Sequence, residues 1–370
     1  MNSFGNIYQG KRVLITGHTG FKGSWLCAWL LKLGASVAGY SLNIPTSPSN
    51  FEVLNLGEKL KDIRGDVRDL NHFKKTVHEF SPDIVFHLAA QAITRLSYDI
   101  PQETFHTNLI GTVNVLECIR NAESVKAAVI ITSDKCYQNV EWVWGYREND
   151  RLGGDDPYSA SKACAEIASQ SYMKSFFSKK EAAEIATARA GNVIGGGDWA
   201  ADRIVPDCMR AFSKGELLEI RTPHATRPWQ HMLEPLSGYL WLGANLLQRN
   251  EKVSGESFNF GPLSDVNRGV EELIRCLAEN WKGSRWRISH GNNDDKKEST
   301  LLKLNCDKAL YYLNWQAVLS FKETVNMTAD WYKAFYNSER DMFGFTIKQI
   351  AAYSDLAKKC GLEWCSEKKK

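Results

Sequence analysis

Through its first half the chain alternates short β-branched apolar runs with stretches whose hydrophobic positions recur at helical spacing. The runs at 12–16, 36–40, 61–64, 83–88, 127–132 and 184–189 predict strands, and 20–33, 70–80, 107–121 and 159–177 predict helices between them. VLIT, DIVFHL and AAVIIT are apolar nearly throughout, as strands covered on both faces are. Strand and helix in turn imply an α/β fold, a doubly wound parallel sheet of the Rossmann type with right-handed crossovers. Ligands bind beyond the carboxyl ends of such strands. The run AAVIITSDKCYQN therefore places Ser133, Asp134 and Lys135 on the face where chemistry occurs.

After residue 189 the pattern breaks into glycine-rich loops, tryptophans and mixed short elements. GNVIGGGDW and RTPHATRPWQH read as loops and 233–250 as a helix, while SFNFG at 257–261 is placed to return a strand to the sheet. Further helical patterns lie at 268–280, 320–337 and 345–359. The expected organisation is a dinucleotide-binding domain over 1–190, rejoined by 232–261, and a smaller mixed lobe from 191–231 and 262–370 that holds substrate.

Two constellations carry chemistry. GHTGFKG puts Gly17, Gly20 and Gly23 between a strand and an apolar helix, where glycine permits a tight turn and close backbone approach to a diphosphate. The helix N-terminus adds amide donors. Asp66 and Val67, in GDVRD after the third strand, are placed to meet an adenine, with Asp69 as a helix N-cap. The end of the second strand, GYSLN, has neither the carboxylate that binds a ribose diol nor an arginine for a 2′-phosphate, so it does not separate NAD from NADP. The second constellation, YSASK, sets Tyr158 and Lys162 four residues apart on one helical face. A phenol titrates near 10, about three units above neutrality, and a neighbouring cation favours the phenolate.

Composition narrows the class. The 370 residues carry a net charge of +3, too small to argue for nucleic acid, and 43% are hydrophobic, which suits a large buried core. No apolar run has the length of a membrane span or a signal peptide, and the nine cysteines form no CxxC pair, as in a reduced, cytoplasmic protein. The eight histidines show no HxH or HExxH spacing, so no metal is indicated. His87 reads as a hydrogen-bonded packing residue, and the tryptophans at 142, 144, 199 and 229 as packing before base stacking. The run at 368–370 reads as a solvated tail.

The glycine turn, a serine after the fifth strand and the YxxxK pair resemble the extended short-chain dehydrogenase/reductases. Within them GHTGFKGSWL, HLAAQ, TSDKCYQN, DDPYSASKA, RAGNVIGGGDW, DRIVPD and RPWQHMLEPLSGYL are similar to the nucleotide-sugar 4,6-dehydratases, over roughly residues 10–262, with LLKLNCDKA extending the likeness. The resemblance implies NAD held by Gly17, Thr19, Gly20, Phe21, Lys22, Gly23, Asp66, Val67, Leu88, Ala89, Ala90, Asn108, Tyr158 and Lys162. It implies Gln91, Asn192, Arg203 and Arg227 for the nucleotide sugar, CDP-glucose, although no physical argument reads the base. It further implies that Ser133 orients the 4-hydroxyl and Tyr158 takes its proton, while Lys162 lowers the tyrosine's pKa and holds the nicotinamide ribose. Asp134 protonates the departing 6-hydroxyl. Lys135 departs from the dTDP-glucose dehydratases, which have glutamate there. A lysine ordinarily titrates near 10.4, about three units above neutral pH. Two roles stay open for it: a neutral base at C5, or an ammonium that stabilises the enolate while another group takes the proton. The family also implies a homo-oligomer in which the helices at 107–121 and 159–177 pair between subunits. Alternatives are an epimerase or decarboxylase of the same fold, which Asp134 argues against, and a non-catalytic NAD(P)-sensing regulator, which would be expected to lack part of the Ser133, Tyr158 and Lys162 set that this chain keeps whole.

Overall fold

The short apolar runs lie side by side in a computed structural model, which describes residues 3–179, 181–220, 223, 225–263, 266, 268–288 and 301–366. The lysine run at 368–370 and part of the loop over 221–231 fall outside the described residues. The first six strands are β1 (Arg12–Thr16), β2 (Ser36–Ser41), β3 (Lys61–Arg64), β4 (Ile84–His87), β5 (Ala127–Ile131) and β6 (Glu184–Ala190). Then come β7 (Val193–Ile194), β8 (Leu217–Ile220), β9 (Thr226–Arg227) and β10 (Gln230–His231). β11 (Ser257–Phe260) pairs in parallel with β6, so 257–261 does return to the sheet. Seven strands result, all parallel, in the order β11-β6-β5-β4-β1-β2-β3. The register sets Ile131 against Ala188, and the Thr132 amide still donates to the Ala188 carbonyl at 2.9 Å. Ser133 to Lys135 thereby emerge at the carboxyl edge.

The helices are α1 (Phe21–Lys32), α2 (Asn50–Val53), α3 (Leu70–Phe80), α4 (Thr94–Asp99), α5 (Pro101–Phe105), α6 (Gly111–Arg120), α7 (Pro157–Ser175), α8 (Ile204–Lys214), α9 (Leu233–Leu247), α10 (Val270–Glu279), α11 (Asp307–Leu313), α12 (Phe321–Tyr336) and α13 (Met342–Lys359). Local chemistry starts several of them. Asp69 accepts from the His72 amide, Asp156 accepts from the Ser159 amide ahead of Pro157 at the first turn, and Ser320 and Glu323 cap α12 reciprocally. Strand alternation then assigns the faces. Leu14, Val85, Ala128 and Ile185 meet α3, α6 and α7 through Phe73, Val115, Leu116 and Met173. Val13, Ile15, Phe86 and Val129 meet α1 and α9 through Trp25, Trp29, Leu236 and Leu240. α9 is buried from Leu233 to Leu246, as a helix apolar all round must be.

The same core runs on into the carboxyl-terminal helices without a break. Trp29 of α1 packs edge-on against Tyr353 of α13 with centroids 5.9 Å apart, and Phe4 stacks on Trp364 at 4.9 Å. Two further strands, β12 (Arg268–Gly269) and β13 (Arg285–Ile288), pair with β9 and β8 outside the main sheet. Three helices were not expected. After residue 189, residues 204–214 form a full helix, and in the first half 94–99 and 101–105 form two short ones that no apolar periodicity announces. The helix expected over 107–121 opens with a π turn, His106–Ile110, before α6.

Candidate functional site

Backbone approach shapes the glycine turn. Gly17 has φ 76°, and a Cβ there would lie 2.8 Å from the Ala89 nitrogen; one on Gly23 would lie 2.2 Å from the Gly17 carbonyl oxygen. Thr16 Oγ1 accepts from the Leu88 and Ala89 amides, both at 3.1 Å, which draws the 88–90 ledge against the turn. Gly20 caps α1 without a side-chain hydrogen bond, so the first amides of the helix have no side-chain partner. Thr19 and His18 fold onto the end of β2: Thr19 Oγ1 donates to the Asn43 carbonyl at 2.6 Å, and His18 Nδ1 lies 2.8 Å from Ser41 Oγ. Phe21 and Lys22 occupy the first turn, each half-buried.

Lys22 points into the site, with its Nζ 3.4 Å from the Tyr239 hydroxyl. Burial lowers its pKa to about 8, and the cations of Lys162 and Arg203 add to the effect against Asp134. At the far end of the crevice the Asp66 carboxylate is clasped by Arg68. Burial works against its charge, but the hydrogen bonds and charge of Arg68 hold its pKa below the usual value. Val67 is buried beside Gly111. Asn108, buried in the π turn, donates to Ser161 Oγ at 2.8 Å and exchanges hydrogen bonds with the Gln91 backbone at 2.8 and 3.0 Å. It thus ties the loop after β4 to α7.

The expected reacting groups converge. Ser133, Asp134, Tyr158 and Lys162 are all buried, between 4% and 8% exposed. The Ser133 side chain favours the Tyr158 phenolate, yet burial dominates and pushes its pKa up to about 12. The cation that favours its phenolate here is Arg203. Lys162 is brought down to about 8 by burial, opposed first by Glu166, one turn further along α7. Asp134 has its pKa raised by burial, against the pull of Lys135, Ser133 and Lys22. A buried carboxyl held toward its protonated form, beside a hydroxyl and a phenol, is a proton donor in waiting. Lys135 is half-buried, and its Nζ donates to Thr94 Oγ1 at 3.0 Å.

The substrate-side expectations fare unevenly. Arg203 is bonded to Asp198 at 2.8 Å and acts on both Tyr158 and Lys22, so it belongs to the crevice and not to an ordinary surface. Gln91 turns its side chain back on its own loop, bonding Ile93 and Thr104. Asn192 follows β6, and its carbonyl accepts from the Gln230 amide at 3.3 Å. Arg227 lies in β9, half-buried, donating to the Thr226 carbonyl at 2.8 Å. His87 is held between Thr16 and Thr112 at 2.7 and 3.0 Å, and burial lowers its pKa to about 3. Trp199 is core, packed on Trp331 and Phe335, and Trp229 donates to the Arg268 carbonyl. Trp142 packs on Tyr146, whereas Trp144 is 69% exposed.

Comparison with known proteins extends this geometry. The family model described as GDP-mannose 4,6 dehydratase matches residues 14–328. The chain belongs to this family. Among its relatives is the CDP-glucose 4,6-dehydratase of Salmonella typhimurium, 46% identical over 94% of this chain and 97% of that protein. The dTDP-D-glucose 4,6-dehydratase of Bos taurus is 24% identical over 91% of this chain and 94% of its own. A dTDP-glucose 4,6-dehydratase from Streptomyces venezuelae, solved with NAD and TYD bound, superposes with a TM-score of 0.74 at 21% identity, covering 90% of this chain and 99% of that one. UDP-glucose 4-epimerase from Thermotoga maritima superposes equally well, with a TM-score of 0.74 at 22% identity over 88% of this chain and 99% of that one. The family's fold thus serves more than one reaction, and only the site distinguishes them.

Behind the crevice lies a group of family-fold residues that motif reading does not find. Glu166 and Arg189 form an ion pair at 2.7 Å with both side chains fully buried. Glu166 also accepts from Thr132 at 2.5 Å, Thr187 at 2.9 Å and Ser257 at 3.3 Å, and so clamps α7 to β5, β6 and β11 directly beneath Ser133. The only sequence signal is a glutamate four residues after Lys162 and an arginine inside an apolar strand. Tyr239 and Thr94 are likewise reached only through the fold.

Proposed function

We propose that this chain is an NAD-dependent nucleotide-sugar 4,6-dehydratase, a hydro-lyase that converts CDP-glucose to CDP-4-keto-6-deoxyglucose. The observation that carries the reading is Asp134. It is a buried carboxyl with a raised pKa at the end of β5, adjoining Ser133 and Tyr158. Epimerisation at C4 has no use for an acid that expels water. CDP as the carrier rests on the near-full-length likeness to the Salmonella enzyme.

The residues present fit a dinucleotide. The glycine turn is a cradle that Cβ atoms would fill, the first amides of α1 lack a side-chain cap, and Asp66, Val67, the 88–90 ledge and Asn108 line the way to Tyr158 and Lys162. NAD, when bound, supplies the two-electron acceptor that takes hydride from C4 and gives it back at C6. The protein's own residues do the rest. Ser133 orients the 4-hydroxyl and Tyr158 accepts its proton, with the cation of Arg203 favouring the phenolate. The 4-ketone acidifies C5, Lys135 stands at that step, and Asp134 protonates the 6-hydroxyl so that it departs as water. Asn192, Arg203 and Arg227 are assigned to the nucleotide sugar, held by the lobe of 191–231 and 262–370 over the 1–190 domain, with Gln91 bracing the loop after β4. Exposed Ile110, Ile167 and Phe176, on the helices expected to pair between subunits, support a homo-oligomer, and nine free cysteines suit a cytoplasmic enzyme.

The test offers CDP-, UDP-, dTDP- and GDP-glucose to the protein with NAD in deuterated water, without added reductant. The expected product is a 4-keto-6-deoxy sugar from CDP-glucose, carrying deuterium at C5, with no accumulated NADH. A C4 epimer, or NADH formed one for one with product, would refute the reading.

A further inference from the structure

Lys135 is a long, flexible side chain given a task that needs a fixed position. A lysine head on four rotatable carbons loses rotamer freedom when it is held, so something in the crevice must hold it. Its Nζ donates to Thr94 Oγ1 at 3.0 Å, across from the end of β5 to the first residue of α4. Thr94 is itself fixed. The preceding turn is braced by Gln91, whose Oε1 accepts from the Ile93 amide at 2.5 Å and whose Nε2 donates to Thr104 Oγ1 at 3.0 Å.

One turn along α4 sits Ser97, fully buried. Its hydroxyl donates to the Thr94 carbonyl at 2.6 Å and accepts from the backbone amide of Tyr158 at 3.2 Å. The same short helix therefore touches the side chain of Lys135 at one end and the backbone of Tyr158 at the other. We propose that Thr94 is the positioning residue of Lys135, and that α4 sets the groups for the two halves of the reaction, proton removal at O4 and the step at C5, at a fixed separation. The proposal rests on the dehydratase reading above and adds to it a residue outside the family motifs. It follows from the chemistry that this separation matters. The sugar is held once while the reaction moves from C4 to C5 and C6, and a misplacement of about 1 Å in such a site costs on the order of 100-fold in rate.

Thr94→Val keeps the shape and removes the acceptor, and Thr94→Ser restores a hydroxyl. The measurement is a single turnover of CDP-glucose with NAD in deuterated water. The transient at 340 nm reports the C4 step, and deuterium at C5 reports the second. In Thr94→Val the C5 exchange is expected to slow at least about tenfold, while the rate of the transient stays within about twofold, so that reduced cofactor builds up. Thr94→Ser is expected to recover most of the C5 rate. An unchanged C5 rate in Thr94→Val overturns the proposal. So does an equal loss in both steps, which would make Thr94 a general brace of its loop. A wild-type protein that forms no 4-keto sugar overturns the dehydratase reading itself, and this one with it.

Discussion

Replacing Glu166 by glutamine keeps the shape of the clamp beneath Ser133 and removes only its charge. The carboxylate accepts through Oε2 from Thr187, Arg189 and Ser257 and through Oε1 from Thr132. Glutamine must therefore turn its carbonyl toward Arg189 and its amide toward Thr132, whose hydroxyl rotates to accept. No hydrogen bond need be lost, but Arg189, with its side chain fully buried, keeps its charge without its ion-pair partner. Breaking a buried pair in this way costs about 3–5 kcal/mol, and the retained hydrogen bonds place Glu166→Gln at about 3 kcal/mol. Replacing both partners by neutral residues should cost less than Glu166→Gln alone.

The same charge supports Lys162, whose pKa of about 8 is the balance of burial against Glu166. The pH dependence of kcat/KM reports groups of the free enzyme. Lys162 is depressed from the ordinary lysine value, so the form with a charged ammonium is lost as pH rises through about 8. In Glu166→Gln that alkaline limb is expected to move to lower pH. Of the groups around Lys162, His87 is held neutral near physiological pH, Cys136 has its thiol pKa pushed up by burial, and Lys22 is the neighbouring cation, so none substitutes for Glu166. Denaturant melts and pH-rate profiles of the wild type, Glu166→Gln and the Glu166→Gln/Arg189→Gln double variant check both claims. A single variant as stable as wild type, or an unmoved alkaline limb, would refute the reasoning.

Three further outcomes are expected. Asp134→Asn should leave the C4 step nearly intact and slow water loss by about 10²–10⁴, seen as a persistent 340 nm signal in a single turnover. Glu234 is buried where it accepts from the Val318 and Leu319 amides and from Tyr353, and burial raises its pKa to about 7. A raised acid contributes stability below its unfolded value of 4.5 that is lost as pH rises through about 7, so thermal melts of Glu234→Gln should fall less than wild type across that window. Gly23→Ala would drive a methyl into the Gly17 carbonyl at 2.2 Å, and calorimetric titration should find NAD binding abolished or cut severely.

Much of the fold was legible because buried parallel strands and their crossover helices write strong periodic signals. β1 and β3 match the expected bounds, and α3 begins and ends where Asp69 and Ser81 cap it. The short helices at 94–105 carry few apolar positions and follow no spacing, so nothing marks them. The expected groups at the glycine turn, TSDK and YSASK come from contiguous motifs. Tyr239, which meets Lys22 across 217 residues, and Arg189, which meets Glu166 inside the sheet, depend on which strands and helices become neighbours. Local pattern does not carry that information. The expectation that Lys162 tunes Tyr158 was drawn from their spacing, while in the folded chain the largest influences on the phenol are burial, Ser133 and Asp134, with Arg203 the cation.

The aromatic stack that joins Phe4 and Trp29 to Tyr353 and Trp364 has a consequence in time. The glycine turn leaves the ribosome long before α13, yet the outer side of α1 is covered only when α13 and Trp364 arrive. Until then Phe4 and Trp29 stand open to water on a half-built sheet, the kind of surface that chaperones bind and aggregates grow from. Contacts spanning nearly the whole chain also make for slow folding. The helix proposed to receive the diphosphate is therefore made early and finished last, and a nascent chain cut short before 342 would expose the outer side of α1.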